Sequence, residues 1–531
     1  MKKSYYIGPA VVAFALALGI FVGGKLHFDD TPEKFFTTNS KKDKLNRLID
    51  YIDYEYVDEV DTDSIVDVTV NNILDKLDPH SVYIPKDEME RVNENMKGDF
   101  VGIGINFYMF RDTITVTRTI KGGPSQRRGL RPGDKILMAD KDTLFDQKLS
   151  NAEIVNRLKG QEGSEVVLTV YRKSEDRTFK MRLQRDHVPI RSIDAYYMIR
   201  PDMGYMRMNR FAESTFGEFR KALRELEQNG AQKLVLDLRD NPGGYLNVAE
   251  EIADVFLPKN RLILFTKNKK GQIDSTFATS RGGFEDKPVY VLINERSASA
   301  SEIIAGALQD NDVGTIVGRR SFGKGLVQRE MALGDGSAVR LTVSRYYTPT
   351  GRSIQREYEN GTEDYYHRYM QRYHNGELGS ADSIKVADSL RFVTPGGKVV
   401  YGGGGIIPDV FVPIGSNEEE ALAALDARGF FSSFGFEHLE EDRARYADYS
   451  AEAFLESFKA DDILFESFID FMGRYNFRLD YYQYEDLIKR YLKASLAEQL
   501  FSPDLKAQIL GKADPMLQRI LSLDQQMIVQ D

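Results

Sequence analysis

Apolar positions recur along this chain with two different periods, and the changes of period mark its organisation. A nearly unbroken apolar run covers residues 7–26, interrupted by Gly, by Pro9 and near its end by Lys25, and it follows the basic pair Lys2 and Lys3. At about 20 residues it is long enough to span a bilayer, and the flanking lysines predict a cytoplasmic N-terminus with the rest of the chain outside. A cleaved signal peptide would occupy the same place, but no clear small-x-small cleavage site lies just ahead of the charged HFDD stretch, so an uncleaved anchor over 1–26 is the expectation. Leu45, Leu48, Ile49, Ile52 and Tyr56 then form a helical stripe, and a second helix is predicted over 63–77, stopped by Asp78-Pro79. Together they make a helical unit over 27–97.

Between 98 and 188 the period shortens to alternating strands, VGIGINFYM, TITVTRTI, VVLTVYR and FKMRL, around the turn segment GLRPGDKILMA, which fits a small β-rich domain. From 189 to 413 strand and helix patterns alternate: GYMRMNR, a helix near 216–229, a strand at 233–238, a helix near 246–256, a strand at 289–293 and a helix near 300–309. Such alternation predicts an α/β core with a central sheet, which TIVG and AVRLTVSRYY are expected to continue. The stretch 358–373 is polar between its tyrosines and reads as an irregular or helical insertion. Residues 414–531 are helix-like throughout, with Phe454, Phe458, Leu464, Phe465 and Phe468 on their stripes.

Composition narrows the chemistry. With 531 residues the chain needs several cores. A net charge of −10, with no basic run longer than KNKK at 267–270, argues against nucleic acid as a partner. The absence of cysteine excludes a thiol nucleophile, a disulfide framework and thiolate metal sites.

In VYVLINERSASASEIIAGALQD an apolar strand runs through a small-residue turn into an amphipathic helix, and Ser299 sits at the turn. Unpaired N–H groups and the helix dipole favour developing negative charge there, and the Ala300 N–H is a natural oxyanion donor if a second donor arrives from another loop. Ser299 to Glu302 also spells S-x-x-E, a capping box that needs no catalysis. The six histidines, His27, His80, His187, His367, His374 and His438, lie in no triad motif. A lysine can replace histidine as base when burial disfavours its ammonium form. Lys324, between Gly323 and Gly325 in TIVGRRSFGKGLVQ, is the candidate, against the ordinary reading of a solvated surface lysine. The same stretch reproduces G-x-x-x-x-G-K, but Gly325 stands where a phosphate loop needs Ser or Thr.

In KLVLDLRDNPGGYL, Gly243 and Gly244 allow close backbone approach and could supply the second oxyanion donor, or simply a turn. Asp237 and Asp240 have no partner at a telling spacing and are left structural. In DFVGIGINFYM, Gly102 and Gly104 alternate with apolar residues ahead of a strand, as in a loop that exposes N–H groups to a peptide carboxylate or in a bulged hairpin.

These pieces occur in one order with YVDEVD, LDPHSVYIP, GDFVGIGI, GLRPGDKIL, LDLRDNPGG, SASASE, SFGKGLVQ, YYTPTGRSI and GGGGIIPDV, over residues 43–413. In that order they resemble the carboxy-terminal processing, or tail-specific, proteases, Ser-Lys endopeptidases with an embedded PDZ domain. The resemblance implies an α/β (α+β) multidomain fold: a helical unit at 27–97 holding YVDEVD and LDPHSVYIP, a PDZ domain at 98–188, a serine protease core at 189–413 and a helical extension at 414–531. It implies Ser299 as nucleophile, Lys324 as base and Gln328 as the residue orienting the lysine amine. Ala300 with Gly243 or Gly244 would form the oxyanion hole, and the loop of Gly102, Ile103, Gly104 and Ile105 would bind peptide. No metal or cofactor is implied. The expected partners are polypeptides with accessible C-terminal tails, cleaved on the extracytoplasmic, periplasmic side of the membrane. A catalytically dead PDZ scaffold or chaperone is the alternative. Dimerisation, adaptor binding and the roles of the Tyr-rich insertion and of 414–531 stay open.

Overall fold

The structure is a computed structural model and describes residues 40–530 apart from Asn476 and Arg478. The apolar run at 7–26 and its flanking lysines lie outside the described residues, and no helix among the described residues is long and apolar enough to cross a membrane. The chain forms two compact units, divided between Asn72 and Ile73. In the first lie helix α1 (Ser40–Glu55) and most of α2 (Thr62–Leu74). Asp61 starts α2 by accepting from the N–H and the hydroxyl of Ser64 at 3.3 and 2.6 Å.

The second unit opens with strand β1 (Val82–Ile84) and helix α3 (Lys86–Lys97). LDPHSVYIP, expected in the helical unit, instead sends Val82–Ile84 into a sheet of the core. Its alternating Val, Tyr and Ile suit an extended segment once a partner strand is at hand.

The PDZ-like domain is rooted by β2 (Asp99–Gly102). Its body is β3 (Ile105–Phe110), β4 (Thr113–Thr119), helix α4 (Pro124–Arg127), β5 (Lys135–Ala139), β6 (Asp142–Thr143), helix α5 (Asn151–Leu158), β7 (Glu165–Arg172) and β8 (Arg177–Gln184). β9 (Asp186–Pro189) returns to pair with β2. The sheet order is β3-β4-β5-β7-β8, which leaves β3 at an edge. Ile105, Phe107 and Met109 on one face of β3 pack on the domain core, as period 2 requires.

The core sheet runs β10 (Ile193–Arg200), β11 (Met203–Met208), β12 (Lys233–Asp237), β15 (Val289–Ile293), β16 (Gly314–Gly318) and β21 (Val410–Phe411), parallel except at β10/β11. Helices α6 (Thr215–Gln228), α7 (Leu246–Asp254) and α8 (Ala300–Asp310) cover one face, packing against Leu234, Leu236, Val291 and Ile293. Strands β13 (Leu262–Asn268), β14 (Ile273–Phe277), β17 (Leu326–Ala332) and β18 (Ala338–Tyr347) form a separate antiparallel sheet with β1. AVRLTVSRYY therefore does not extend the central sheet. It is β18, and its hairpin with β17 and its pairing to β1 and β13 consume its hydrogen bonds elsewhere.

The Tyr-rich stretch forms helix α9 (Thr362–Gln371). β19 (Arg391–Val393) and β20 (Val399–Tyr401) make a small hairpin. The extension comprises α10 (Asn417–Ala427), α11 (Phe430–Asp442), α12 (Ala451–Ser457), α13 (Asp462–Gly473), α14 (Glu485–Leu500), α15 (Pro503–Gly511) and α16 (Pro515–Gln530). Most of these close on an aromatic core that includes Phe431, Phe454, Phe458, Phe465 and Phe468. Two pieces reach outward. Met516, Leu517 and Ile520 of α16 pack on the second face of the core sheet against Tyr205, Val235, Tyr290 and Leu292. Asp524 of α16 accepts from Lys233 at 2.8 Å, from Tyr290 at 3.0 Å and from Arg200. Phe436 of α11 lies 5.4 Å from the Tyr108 ring and 6.2 Å from Phe110, on the outer face of β3. The extension is thus one layer of the α/β core and a prop for the PDZ-like edge strand.

Candidate active site

Ser299 closes the turn between β15 and α8 with φ 55° and ψ −111°. A non-glycine residue adopts such a backbone only under constraint, at roughly 1–3 kcal/mol. An N-cap residue is ordinarily extended, so a capping role alone does not account for this geometry. Part of the expected capping pattern is made, because the Ser299 N–H donates to Glu302 Oε2 at 2.8 Å. The Ser299 carbonyl in turn accepts from the buried Tyr346 hydroxyl at 3.3 Å.

Glu302 does much more than cap. Fully buried, its carboxylate accepts from the Ser321 hydroxyl at 2.5 Å and the Gly323 N–H at 2.6 Å through Oε1, and from the Lys324 N–H at 2.9 Å through Oε2. One oxygen therefore holds the backbone of both Ser299 and Lys324, and their amide nitrogens can be no further apart than the sum of those two contacts. Burial pushes this carboxyl above its ordinary range, while the four donors around it pull the other way.

Lys324 lies in the loop between β16 and β17, and the element after it is a strand, not the helix a phosphate loop needs. Its Nζ donates to Gln328 Oε1 at 2.8 Å, and Gln328 Nε2 donates to the carbonyl of His80. Burial, with Arg340 close by, brings the ammonium down from 10.5 to about 8, against the pull of Asp78 and Glu302. It is a mostly buried lysine with an appreciable neutral fraction near pH 7.

Asn241 welds the NPGG loop to the serine turn. Its carbonyl accepts from the Ala298 N–H and the Ser301 hydroxyl, both at 3.0 Å, and its Oδ1 accepts from the Gly243 N–H at 2.9 Å. Gly243 has φ 99°, and a Cβ there would stand 2.8 Å from Ala298 O, 2.9 Å from Ala300 N and 2.9 Å from Ser299 Cβ, so only glycine fits. With the Gly243 N–H committed to Asn241, the Gly244 N–H is the one of the pair with no acceptor among the described residues. Asp237 is buried against Arg239 and Tyr205, and Asp240 bonds to Asn294 and Arg296. Both carboxylates shape the loops and do not pair with each other.

Ser299, Ala300, Lys324, Gln328 and the two glycines are thus gathered at one place. The GIGI loop is elsewhere, at the root of β3. There Gly104 turns with φ 74°, and the Ile103 side chain is buried in the domain core, so Ile103 can offer a ligand only its backbone. The site also holds residues that the sequence did not assign to it. Glu302 reads as a capping residue, and its bonds to Ser321, Gly323 and Lys324 reach 19 to 22 positions along the chain, a separation that no local pattern links. His80 and Asp78 belong to LDPHS, legible as a motif but not as a neighbour of Lys324. Among the described residues no cluster of His, Asp or Glu could hold a metal ion.

Residues 202–365 match peptidase family S41, residues 101–183 match the PDZ domain, and residues 421–502 match a family of unknown function. A carboxy-terminal-processing protease of Bartonella bacilliformis is 36% identical over 330 residues, 60% of this chain and 75% of its own length. A Staphylococcus aureus protein named "Probable CtpA-like serine protease" is 34% identical over 322 residues, 60% of this chain and 63% of its own. Among solved structures, a photosystem II D1 C-terminal processing protease covers 70% of this chain and 86% of its own at 25% identity, with a TM-score of 0.36. The chain is accordingly a serine-type peptidase and belongs to peptidase family S41, the carboxy-terminal-processing proteases.

Proposed function

We propose that this peptidase cleaves exported polypeptides on the extracytoplasmic side of the membrane, using Ser299 as nucleophile and Lys324 as general base. The observation that carries the reading is the shared Glu302 oxygen, which ties the backbone of a strained serine to that of a mostly buried lysine. Neutral Lys324, its amine directed by Gln328, takes the hydroxyl proton as Ser299 attacks the scissile carbonyl. The N–H groups of Ala300 and Gly244 stabilise the oxyanion, the Gly243 N–H being committed to Asn241. An acyl-enzyme forms, the leaving amine takes the proton from Lys324, and water activated by the same lysine completes hydrolysis. Neither a metal nor an organic cofactor enters any step.

Tail recognition is assigned to the PDZ domain. β3 lies at the edge of its sheet, where an extended peptide can add as a further strand, and the backbone of Gly102 to Ile105 is at the head of that strand. The apolar run at 7–26 is taken as the export signal and anchor. Access of an external protease to the core in intact spheroplasts tests that topology.

The chemistry is tested with a fluorophosphonate serine probe and an unfolded polypeptide substrate. Unmodified protein should label and cleave, and Ser299→Ala and Lys324→Ala should do neither while keeping the fold. A Ser299→Ala protein that cleaves at the original rate sinks the assignment. Tail binding without labelling or cleavage by the unmodified protein favours the dead scaffold instead. Deleting residues 98–185 then shows whether the PDZ domain restrains the site, by a rise in basal cleavage, or delivers substrate, by a collapse.

A further inference from the structure

The carboxamide of Gln328 has two ends of nearly equal size, one accepting and one donating. Which end faces Lys324 depends on what the other end meets. A backbone carbonyl only accepts, so the His80 carbonyl takes Nε2 of Gln328 and compels Oε1 toward the lysine amine. The placement of His80 therefore sets the orientation of Gln328.

His80 is held from two sides. On its backbone side Asp78 Oδ1 accepts from the N–H groups of His80 and Ser81, each at 2.9 Å, and Asp78 Oδ2 accepts from the Ser81 hydroxyl at 2.7 Å. The Thr342 N–H donates to the Ser81 oxygen at 3.1 Å, which pins this turn to β18. On its side-chain side the imidazole Nε2 shares a 2.9 Å hydrogen bond with the Tyr365 hydroxyl, and the two rings meet edge to face at 5.2 Å. Tyr366 adds a 3.3 Å bond from its hydroxyl to the Pro79 carbonyl. Tyr365 is itself fully buried, under the Arg356 guanidinium at 3.9 Å from its ring centroid.

Both tyrosines come from α9, in the Tyr-rich insertion where the match to the peptidase family ends. We propose that Tyr365 is a positioning residue for Lys324: acting through His80, it fixes the Gln328 carboxamide with its oxygen toward the lysine amine. The proposal rests on the reading of Lys324 as the base. Burial, together with Lys324 and Arg356 and against Asp78, holds the imidazole down at about 3, so the Tyr365 bond is between neutral groups and does not change across the working pH range. The charged and titratable groups that face Lys324 are Arg340 of β18, Asp78 and His80 of the turn, and Glu302 of α8.

The test is the pH profile of polypeptide cleavage by the full chain, for Tyr365→Phe, Gln328→Ala and the double variant. Tyr365→Phe removes one hydroxyl and should lower kcat about fivefold, the equivalent of one hydrogen bond, with KM unchanged. Its ascending limb should move to lower pH, because an amine without a fixed acceptor holds its proton less well. In the Gln328→Ala background the same substitution should have no further effect. A limb that stays in place, or a loss that persists undiminished in that background, overturns the proposal; limb position does not depend on how much enzyme is folded. Lys324→Ala and Ser299→Ala run alongside. If Lys324→Ala cleaves normally, the base assignment fails and takes the proposal with it. If both controls are dead and Tyr365→Phe matches the unmodified enzyme, only the positioning role falls.

Discussion

Replacing Lys324 by methionine separates the two consequences of burying its amine. The ammonium is brought from 10.5 to about 8 by burial and by Arg340. Below about pH 8 the lysine is protonated in both the folded and the unfolded chain, and the folded state bears the full desolvation penalty, roughly 3 kcal/mol at about 1.4 kcal/mol per unit. Between 8 and 10.5 the unfolded chain holds a proton that the folded chain does not, so stability from this group rises with pH. Above 10.5 both are neutral and the penalty is gone. Methionine fills a similar volume without charge and forfeits the bond to Gln328, about 1 kcal/mol. Lys324→Met should therefore be inactive yet more stable than the unmodified protein by about 2 kcal/mol at about pH 6.5. That difference should close, and change sign, as pH passes from 8 to 10.5. Urea unfolding of both proteins at several pH values, read beside the cleavage profile of the unmodified enzyme, checks this. The profile should rise about tenfold per unit and level near pH 8. A Lys324→Met protein less stable than its parent below neutral pH, or a difference indifferent to pH, would refute a buried ammonium at this site.

Other expected outcomes rest on particular contacts. Glu302→Gln turns an acceptor toward two of the four donors into a donor, and should lower stability by about 3 kcal/mol and cleavage by more than about tenfold, measured by urea unfolding and probe labelling. Gly243→Ala forces a Cβ against the Ser299 turn and should suppress fluorophosphonate labelling while the far-ultraviolet circular dichroism spectrum is retained. Phe436→Ala opens a cavity beside Tyr108 and Phe110, worth about 3 kcal/mol. Amide exchange should then rise in β3 and not in β12. Asp524→Ala removes the buried carboxylate shared by Lys233, Arg200 and Tyr290, leaving the two cations only Asp202 at 3.4 Å, and should destabilise the core by about 3 kcal/mol, seen as a lowered urea midpoint for the core sheet.

Local pattern alone determined a good deal here. The 3.6-residue stripes placed α1, α6, α7, α8 and the Phe-rich helices of the extension, because burial of one face writes its period into a helix, whereas β12 and β15, buried on both faces, were placed nearly to the residue by short unbroken apolar runs. The serine turn, the lysine loop and the NPGG loop were legible as local motifs, each a strand end beside small residues. Their meeting was not. Sheet membership depends on which edge a strand finds, so β18 went to a second sheet and LDPHS to the core. That the Gly243 N–H is committed, leaving Gly244 for the proposed oxyanion hole, depends on the Asn241 side chain. That one carboxylate, Glu302, joins the backbone of Ser299, the proposed nucleophile, to that of Lys324, the proposed base, and that an inserted helix reaches the same place through His80, follow from tertiary packing. A hydrogen bond has no sequence period when its partners lie 22 or 285 positions apart, and only the folded chain brings them within reach.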